Sequence, residues 1–96
     1  MTNFNAPIHP GEILADELKE IGIESDQLAL KIGISEDYIN LIIRREGNMT
    51  AEVALRLGKF FNTGPNLWMN LQKAYDLEIA RSKLGDSLEM ITPLDT

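Results

Sequence analysis

The residue types that most often do catalytic chemistry are scarce in this 96-residue chain. His9 is the only histidine, it stands beside a proline, and there is no cysteine with which it could pair. No nucleophile-elbow motif surrounds any serine that we considered as a partner for His9, and no glycine-rich loop is present to bind a phosphate. These serines are Ser25, Ser35, Ser82 and Ser87. The sequence therefore predicts a protein that is not an enzyme.

His9 and two nearby acids are the residues that could form a metal site. His9, Glu12 and Asp16 supply nitrogen and oxygen ligands within eight residues. Three such residues at the start of a helix more often cap it or remain solvated than bind an ion. We therefore expect neither a metal nor another cofactor.

The residues from Ser25 to Arg44 have a spacing that favours DNA binding. They predict two short helices joined by a turn at Gly33, with Ser25 and Ser35 as their N-caps. The predicted inward apolar positions are Leu28, Ala29, Ile32, Ile39 and Ile42. This is the pattern of a helix-turn-helix, although a helix pair within an ordinary all-α bundle would show similar features.

In a helix-turn-helix, the start of the second helix enters the major groove. There Asn40 could pair with adenine, Arg44 could reach guanine or phosphate, and Leu41 could contact a thymine methyl group. Glu36 or Asp37 could accept a hydrogen bond from cytosine N4. The predicted DNA-binding residues are Gln27, Ser35, Glu36, Asp37, Tyr38, Asn40, Leu41, Arg44, Arg45 and Thr50.

Several of these residues also have a purely structural explanation. Glu36 and Asp37 suit the positive end of a helix dipole, and Arg44 and Arg45 suit the negative end. Asn40 is also explained as a solvated polar residue. The two acids would repel phosphates unless they are held on bases, which is the main objection to DNA binding.

The remaining chain predicts further helices around this pair. Residues 1–10 are predicted to form an extended arm, and Glu12–Ile21 a first helix whose inward positions are Ile13, Leu14, Leu18 and Ile21. Thr50 is the predicted N-cap of a helix at Ala51–Asn62, and a long helix follows from Pro65 to about Leu84, either continuous or bent near Tyr75. We expect an all-α fold in a single domain (1–96), with a helical core at 11–84 and a tail at 85–96 that is either loose or a strand.

The charge balance bears on possible partners. The chain has nine basic and fifteen acidic residues, for a net charge of −6. This acidity weakens the case for DNA, since DNA-binding proteins usually carry a basic surface, but it suits a basic protein partner. We expect a cytoplasmic protein without a membrane association, because no apolar run is long enough to span a bilayer and the N-terminus does not look like a signal peptide.

Several sequence blocks resemble one family. His9–Leu14 is similar to the HPGEIL signature of HigA-type antitoxins, also described as plasmid-maintenance antidotes or virulence-associated protein I. The blocks Ala29–Ile42, Thr50–Leu57 and Pro65–Leu77 follow the family in the same order. Together they extend the resemblance over roughly residues 8–81.

The resemblance implies a lambda-repressor-like five-helix domain that dimerises and binds a palindromic operator in its own promoter. It also implies neutralisation of a HigB-type toxin, an mRNA-cleaving ribonuclease. The sequence departs from the usual family pattern at Glu36-Asp37 and at residues 45–48. Two alternatives are a protein-interaction module that neutralises a basic partner with weak or no DNA binding, and a prophage-type regulator without a toxin.

Overall fold

Six α-helices and their short connections make up residues 7–95, which are the residues described by the computed structural model. The helices are α1 (Pro10–Ile21), α2 (Ser25–Ile32), α3 (Glu36–Ile43), α4 (Ala51–Phe61), α5 (Pro65–Leu84) and α6 (Asp86–Glu89). The predicted all-α class is confirmed. The predicted count of five helices is exceeded by the single turn of α6.

The core is formed where the apolar faces of the first five helices meet. Trp68 of α5 is 1% exposed, and its ring centroid lies 5.8 Å from that of Phe61 on α4. The other buried apolar residues are Leu14, Leu18, Leu28, Ile32, Ile39, Ile42, Met49, Val53, Ala54 and Leu57. Most of them are positions that helical periodicity predicted to face inward. Ile21, also predicted to face inward, is instead 46% exposed at the last residue of α1.

α1 begins two residues earlier than predicted. Pro10 is its first residue, a position where proline fits because no helical N–H is needed there. His9 is the N-cap: its Nδ1 accepts a hydrogen bond from the Gly11 amide at 2.9 Å, and the Glu12 carboxylate accepts one from the His9 amide at 3.1 Å. Of the predicted arm, residues 1–6 lie outside the described residues, while Pro7, Ile8 and His9 are not helical.

The first turn of α1 packs directly on the backbone of α3. A Cβ atom at Gly11 would stand 1.8 Å from the carbonyl oxygen of Ile42. Only glycine allows so close an approach between two helices. This contact fixes α1 against the second helix of the helix-turn-helix.

The two caps predicted for the helix-turn-helix differ in outcome. Ser35 caps α3 as predicted, because its Oγ accepts a hydrogen bond from the Tyr38 amide at 3.2 Å. The prediction for Ser25 is wrong: Ser25 is the first residue of α2, and Glu24 is the N-cap. The Glu24 amide donates to Gln27 Oε1 at 2.7 Å, so the glutamine at the third position of the helix satisfies the amide of the N-cap residue.

The turn between α2 and α3 is fixed by a residue of α4. Gly33 ends α2 in the left-handed region, at φ 74°, and its amide donates to Ala29 O at 2.9 Å. Arg56 of α4 donates from Nη1 to the Ile32 carbonyl at 2.8 Å and thereby satisfies one of the free carbonyls at the helix end. A Cβ atom at Gly33 would meet that same nitrogen at 2.9 Å. Glycine is therefore needed for both its backbone angle and its small size.

The later helices agree closely with the sequence. Thr50 caps α4 with a 3.3 Å hydrogen bond from the Val53 amide, and Asn62, predicted as the last helical residue, is instead the left-handed C-cap at φ 59°. α5 begins at Pro65 and is helical without interruption to Leu84. The tail is predicted to be either loose or a strand, and no strand occurs within residues 7–95. Residues 86–89 form the single turn of α6, and residues 90–95 are neither helix nor strand.

The segment between α3 and α4 is held from three directions. The Tyr38 hydroxyl donates to the Asn48 carbonyl at 2.6 Å, and the Met49 amide donates to Oε1 of buried Gln72 at 2.6 Å. Buried His9 makes a hydrogen bond to the backbone of Gly47 and contacts the Tyr75 ring edge-to-face at a centroid distance of 4.7 Å. Residues of α3, α5 and the α1 N-cap thus set the position of this segment.

We predict that Gly33→Ala lowers the free energy of unfolding by about 1–2 kcal/mol through its backbone angle, plus a further loss from the contact with Arg56. Gly22→Ala is a matched control, because Gly22 has a similar φ of 76° with no atom near its Cβ position. Urea unfolding of both variants measures the difference. Equal losses would show that the contact with Arg56 contributes nothing.

We predict that His9 makes stability depend on pH. Burial lowers the pKa of His9 below its usual 6.5, and nearby Arg45 adds to this, although Glu12, the Gly47 hydrogen bond and Asp76 oppose it. A depressed folded-state pKa means that the unfolded chain binds the proton more readily. The contribution is therefore complete above about pH 6.5 and is lost as the pH falls towards the folded-state pKa.

The variant His9→Asn tests this prediction, because asparagine can cap the helix but does not titrate. Urea unfolding between pH 7.5 and 5 should show a flatter stability profile for the variant than for the natural chain, which has no other histidine. Parallel profiles would contradict the assignment.

Candidate nucleic-acid interface

The face of α3 opposite the core carries a continuous set of the predicted DNA-binding residues. Ile39 and Ile42 are buried, which directs Asp37 and Arg44 away from the core. Asn40 and Leu41 flank them and are half-buried, while Glu36 is exposed at the start of the helix. The structure therefore places these five predicted residues on one side of α3.

Three other predicted residues lie at the starts of α2, α3 and α4, where their oxygen atoms accept hydrogen bonds from backbone amides. They are Gln27, Ser35 and Thr50. Each still has hydrogen atoms to donate, from the amide nitrogen of glutamine or the hydroxyl of serine and threonine. Capping therefore leaves all three able to contact a phosphate.

The two adjacent arginines point to different neighbours. Arg44 Nε lies 3.5 Å from Glu46 Oε1, close to the end of α3. Arg45, in the left-handed region at φ 65°, lies with Nη1 3.6 Å from Glu12 Oε2 at the start of α1. Both pairs are well exposed, and exposed ion pairs are weak enough to exchange for a phosphate. Arg44 belongs to the α3 face, whereas Arg45 is directed towards α1.

Asn40 faces a groove between helices. It lines a cavity of about 370 Å³ together with residues from the second half of α1, the start of α2 and the end of α3. Ser25, Lys19 and Glu24 are among them. The structure thus brings Asn40 close to the start of α2, and it adds Lys19, a cation that sequence reasoning did not select.

Tyr38 is half-buried, and its hydroxyl is bound to the Asn48 carbonyl. The structure gives it a role in positioning the segment after α3. Gln72 of α5 holds the same segment, and Arg56 of α4 holds the turn between α2 and α3; sequence reasoning missed both. The available signal for Gln72 was a polar residue four positions after Trp68 on the buried stripe of α5.

The electrostatics of α3 and the following turn are not basic. Residues 36–48 contain the acids Glu36, Asp37 and Glu46 against the two arginines. The acids at the start of α3 interact favourably with the helix dipole, but they give an approaching phosphate no attraction. Any positive charge presented to DNA by this face comes from Arg44 and from neighbouring elements.

The described residues can also be searched for a metal site and for a helix that could span a membrane. Within residues 7–95, no group of histidine, aspartate and glutamate residues is arranged to hold a metal ion, and His9 Nδ1 already accepts the Gly11 amide. None of the helices in the described range combines the length and apolar character required to cross a membrane.

The chain is similar to helix-turn-helix antitoxins. Virulence-associated protein I of Dichelobacter nodosus is 42% identical over 90 residues, which are 93% of this chain and 82% of the relative. A HigA-family addiction module antidote protein from Coxiella burnetii is 44% identical with a TM-score of 0.89, covering 92% of this chain and 98% of that chain. The structure of antitoxin HigA of Pseudomonas aeruginosa with the higBA promoter is 42% identical with a TM-score of 0.87, covering 93% of this chain and 99% of that chain.

No protein-family model matches the chain. The relatives are nevertheless consistent in kind, since they are antitoxins and helix-turn-helix transcriptional regulators, and neither class is an enzyme. The identity to these relatives extends over most of both chains, and the solved structures share the same fold. The chain belongs to the HigA family of helix-turn-helix antitoxins.

Proposed function

We propose that this protein is a cytoplasmic, dimeric transcriptional repressor and antitoxin that binds operator DNA in its own promoter and neutralises a HigB-type ribonuclease toxin. The observation that carries the proposal is the likeness, at a TM-score of 0.87, to a HigA antitoxin whose structure includes the higBA promoter. The exposed face of α3 supports the DNA-binding part of the proposal independently of that likeness.

The α3 face offers both kinds of contact that sequence-specific DNA binding requires. Asn40 and Leu41 are suited to base edges, and Arg44 to guanine or a phosphate. The capped starts of α2 and α4, at Gln27 and Thr50, offer donors for the DNA backbone on either side. Glu36 and Asp37 remain useful only as acceptors for cytosine N4.

We infer dimerisation from the small size of the DNA-binding helix α3. One eight-residue helix contacts few base pairs, and a two-fold dimer doubles the interface across two half-sites. The outward face of α5 is the surface that we assign to the dimer: its residues line a groove of about 640 Å³ that includes Met69, Lys73, Asp76 and Leu77. Two α5 helices packed antiparallel would place Lys73 near Asp76 of the other copy, as a self-complementary interface requires.

The toxin-binding part of the proposal agrees with the charge. A net charge of −6 favours association with a basic partner, and four of the fifteen acids lie exposed on α1 and α2. The acidic start of α3 also favours the second candidate function, a module that binds a basic protein while binding DNA weakly or not at all.

We predict that Asn40→Ala and Arg44→Ala each weaken binding to the DNA upstream of the gene by about tenfold or more, without unfolding the protein, because each removes a base-edge contact. Arg45→Ala should have a smaller effect, since it removes the same charge from a side chain directed towards Glu12. Fluorescence anisotropy with operator and random duplexes at matched salt measures these effects, and circular dichroism checks the fold.

Equal affinity of the natural protein for its upstream DNA and for random duplex would contradict operator binding and would favour the interaction module. Equal losses in the Arg44 and Arg45 variants would show that charge alone matters, and not the orientation of the side chain.

We predict that the product of the neighbouring reading frame is a small basic ribonuclease that co-purifies with this protein, because the acidic surface complements a basic toxin. Co-expression, pull-down and an mRNA-cleavage assay with and without the antitoxin measure binding and neutralisation together. A neighbouring gene without such a product, combined with specific operator binding, would indicate a prophage-type regulator that has no toxin.

A further inference from the structure

A basic and apolar groove lies between α2 and α4, away from the α3 face. This α2–α4 groove has a volume of about 450 Å³ and is lined by Lys31, Ile32, Leu55, Arg56, Lys59 and Phe60. It gathers three of the nine basic residues of an otherwise acidic chain. Leu55 is 60% exposed at the groove, and Leu30 is 87% exposed on the neighbouring turn of α2. Exposed leucines beside cations are typical of a surface that receives an apolar, acidic partner.

The C-terminal tail, residues 85–95, has the complementary character. It contains the acids Asp86, Glu89 and Asp95 and no basic residue. Its apolar side chains are all exposed: Leu88 44%, Met90 81%, Ile91 67% and Leu94 87%. Within the described residues, these side chains do not pack against the core. They are therefore available to bind a complementary surface elsewhere.

We infer that the C-terminal tail of one copy of this protein binds in the α2–α4 groove of a second copy. The inference rests on the proposed dimerisation through α5 and names the place to which the tail goes. The acids of the tail would lie near Lys31 and Lys59, while its leucine, methionine and isoleucine side chains would cover Leu55.

The position of the groove explains why a second copy is needed. The last turn of α4, with Lys59 and Phe60, adjoins the start of α5, because the Thr63 and Gly64 amides both donate to the Gly58 carbonyl. The tail lies at the opposite end of α5, a 20-residue helix roughly 30 Å long. Leu88, only three residues beyond Gly85, cannot span that distance even in an extended chain of about 3.5 Å per residue. The apolar residues nearer the end of α5, Leu88 to Ile91, therefore cannot fill the groove of their own copy, because only Leu94 and Asp95 are far enough along the chain to span about 30 Å.

Antiparallel pairing of two α5 helices removes this obstacle. It brings the end of one α5 next to the start of the other, and hence next to the α2–α4 groove of the other copy. The exchange is reciprocal, so both tails and both grooves are used in one closed two-fold dimer. Attraction between exposed charges at the groove would weaken as salt increases.

Charge reversal with a compensating partner tests the inference. Lys31→Glu with Lys59→Glu reverses the groove, and Glu89→Lys with Asp95→Lys reverses the tail; Arg56 is left intact because it holds the α2–α3 turn. We expect each reversed pair to weaken dimerisation about tenfold, and the combination of all four changes to restore it to within about threefold. Sedimentation equilibrium at low and high salt measures the dissociation constant.

A matched control reverses two acids elsewhere: Asp16→Lys with Glu17→Lys on exposed α1 should leave dimerisation unchanged. Losses that add in the fourfold variant, or a dimer indifferent to both reversals, would overturn the inference while leaving the α5 dimer in place. A protein that stays monomeric at all concentrations would overturn the inference and the proposed dimer together. Operator and toxin binding are measured in separate experiments, so failure of the tail inference would not contradict those parts of the proposed function.

Cross-linking provides a direct measurement, because the natural chain has no cysteine. A mixture of the single variants Leu55→Cys and Ile91→Cys should form a disulfide-linked pair of unlike chains under mild oxidation. Glu17→Cys in place of Leu55→Cys is the control and should give no such pair. Equal cross-linking in both mixtures would contradict docking of the tail in the α2–α4 groove.

Discussion

The segment that joins α3 to α4 is the constraint on which the candidate DNA-binding surface depends. Its backbone is held by the Tyr38 hydroxyl, by buried Gln72 and by His9, which belong to three different parts of the fold. The bond from the Met49 amide to Gln72 is buried, so it satisfies a backbone group that would be costly to leave unpaired. Because the contacts arrive from α1, α3 and α5, the orientation of α3 is set by the whole domain and not by its two-helix unit alone.

The sequence predicted those features that depend on local rules. Helical periodicity identified most of the core, and the caps at Ser35 and Thr50 follow from the preferences of hydroxyl side chains for helix starts. The contacts that sequence reasoning missed join residues more than 20 positions apart, as between Arg56 and Ile32. Of the two alternatives for the tail, the strand is not found within residues 7–95, because β-forming residues need a partner strand, which no local pattern reveals. The candidate site was predictable as a set of α3 positions that face away from the core, but the different directions of Arg44 and Arg45 depend on a left-handed residue that no local pattern signalled.

The acidic start of α3 has a consequence for how such a surface would discriminate between DNA sequences. Affinity for random DNA comes mainly from neutralising phosphates, and a face with few cations neutralises few of them. Glu36 and Asp37 would then lower the affinity for every DNA site that offers them no hydrogen-bond donor on a base. A DNA-binding surface of this kind gains its selectivity by binding wrong sequences poorly. Its affinity for DNA would also depend less steeply on salt than that of a strongly basic repressor.

Local stability decreases along α5 from its first turns to its C-terminal end. Residues 81–95 are exposed throughout in a single copy, whereas the first turns of α5 are fixed by buried Trp68 and Gln72. Helical turns without buried contacts open at little free-energy cost, so this end unfolds locally long before the core does. Under the proposed pairing, the second copy supplies the missing contacts, and the order of this end rises with the concentration of the protein itself. The same chain would thus be resistant to proteolysis when abundant and vulnerable from its C-terminal end when dilute.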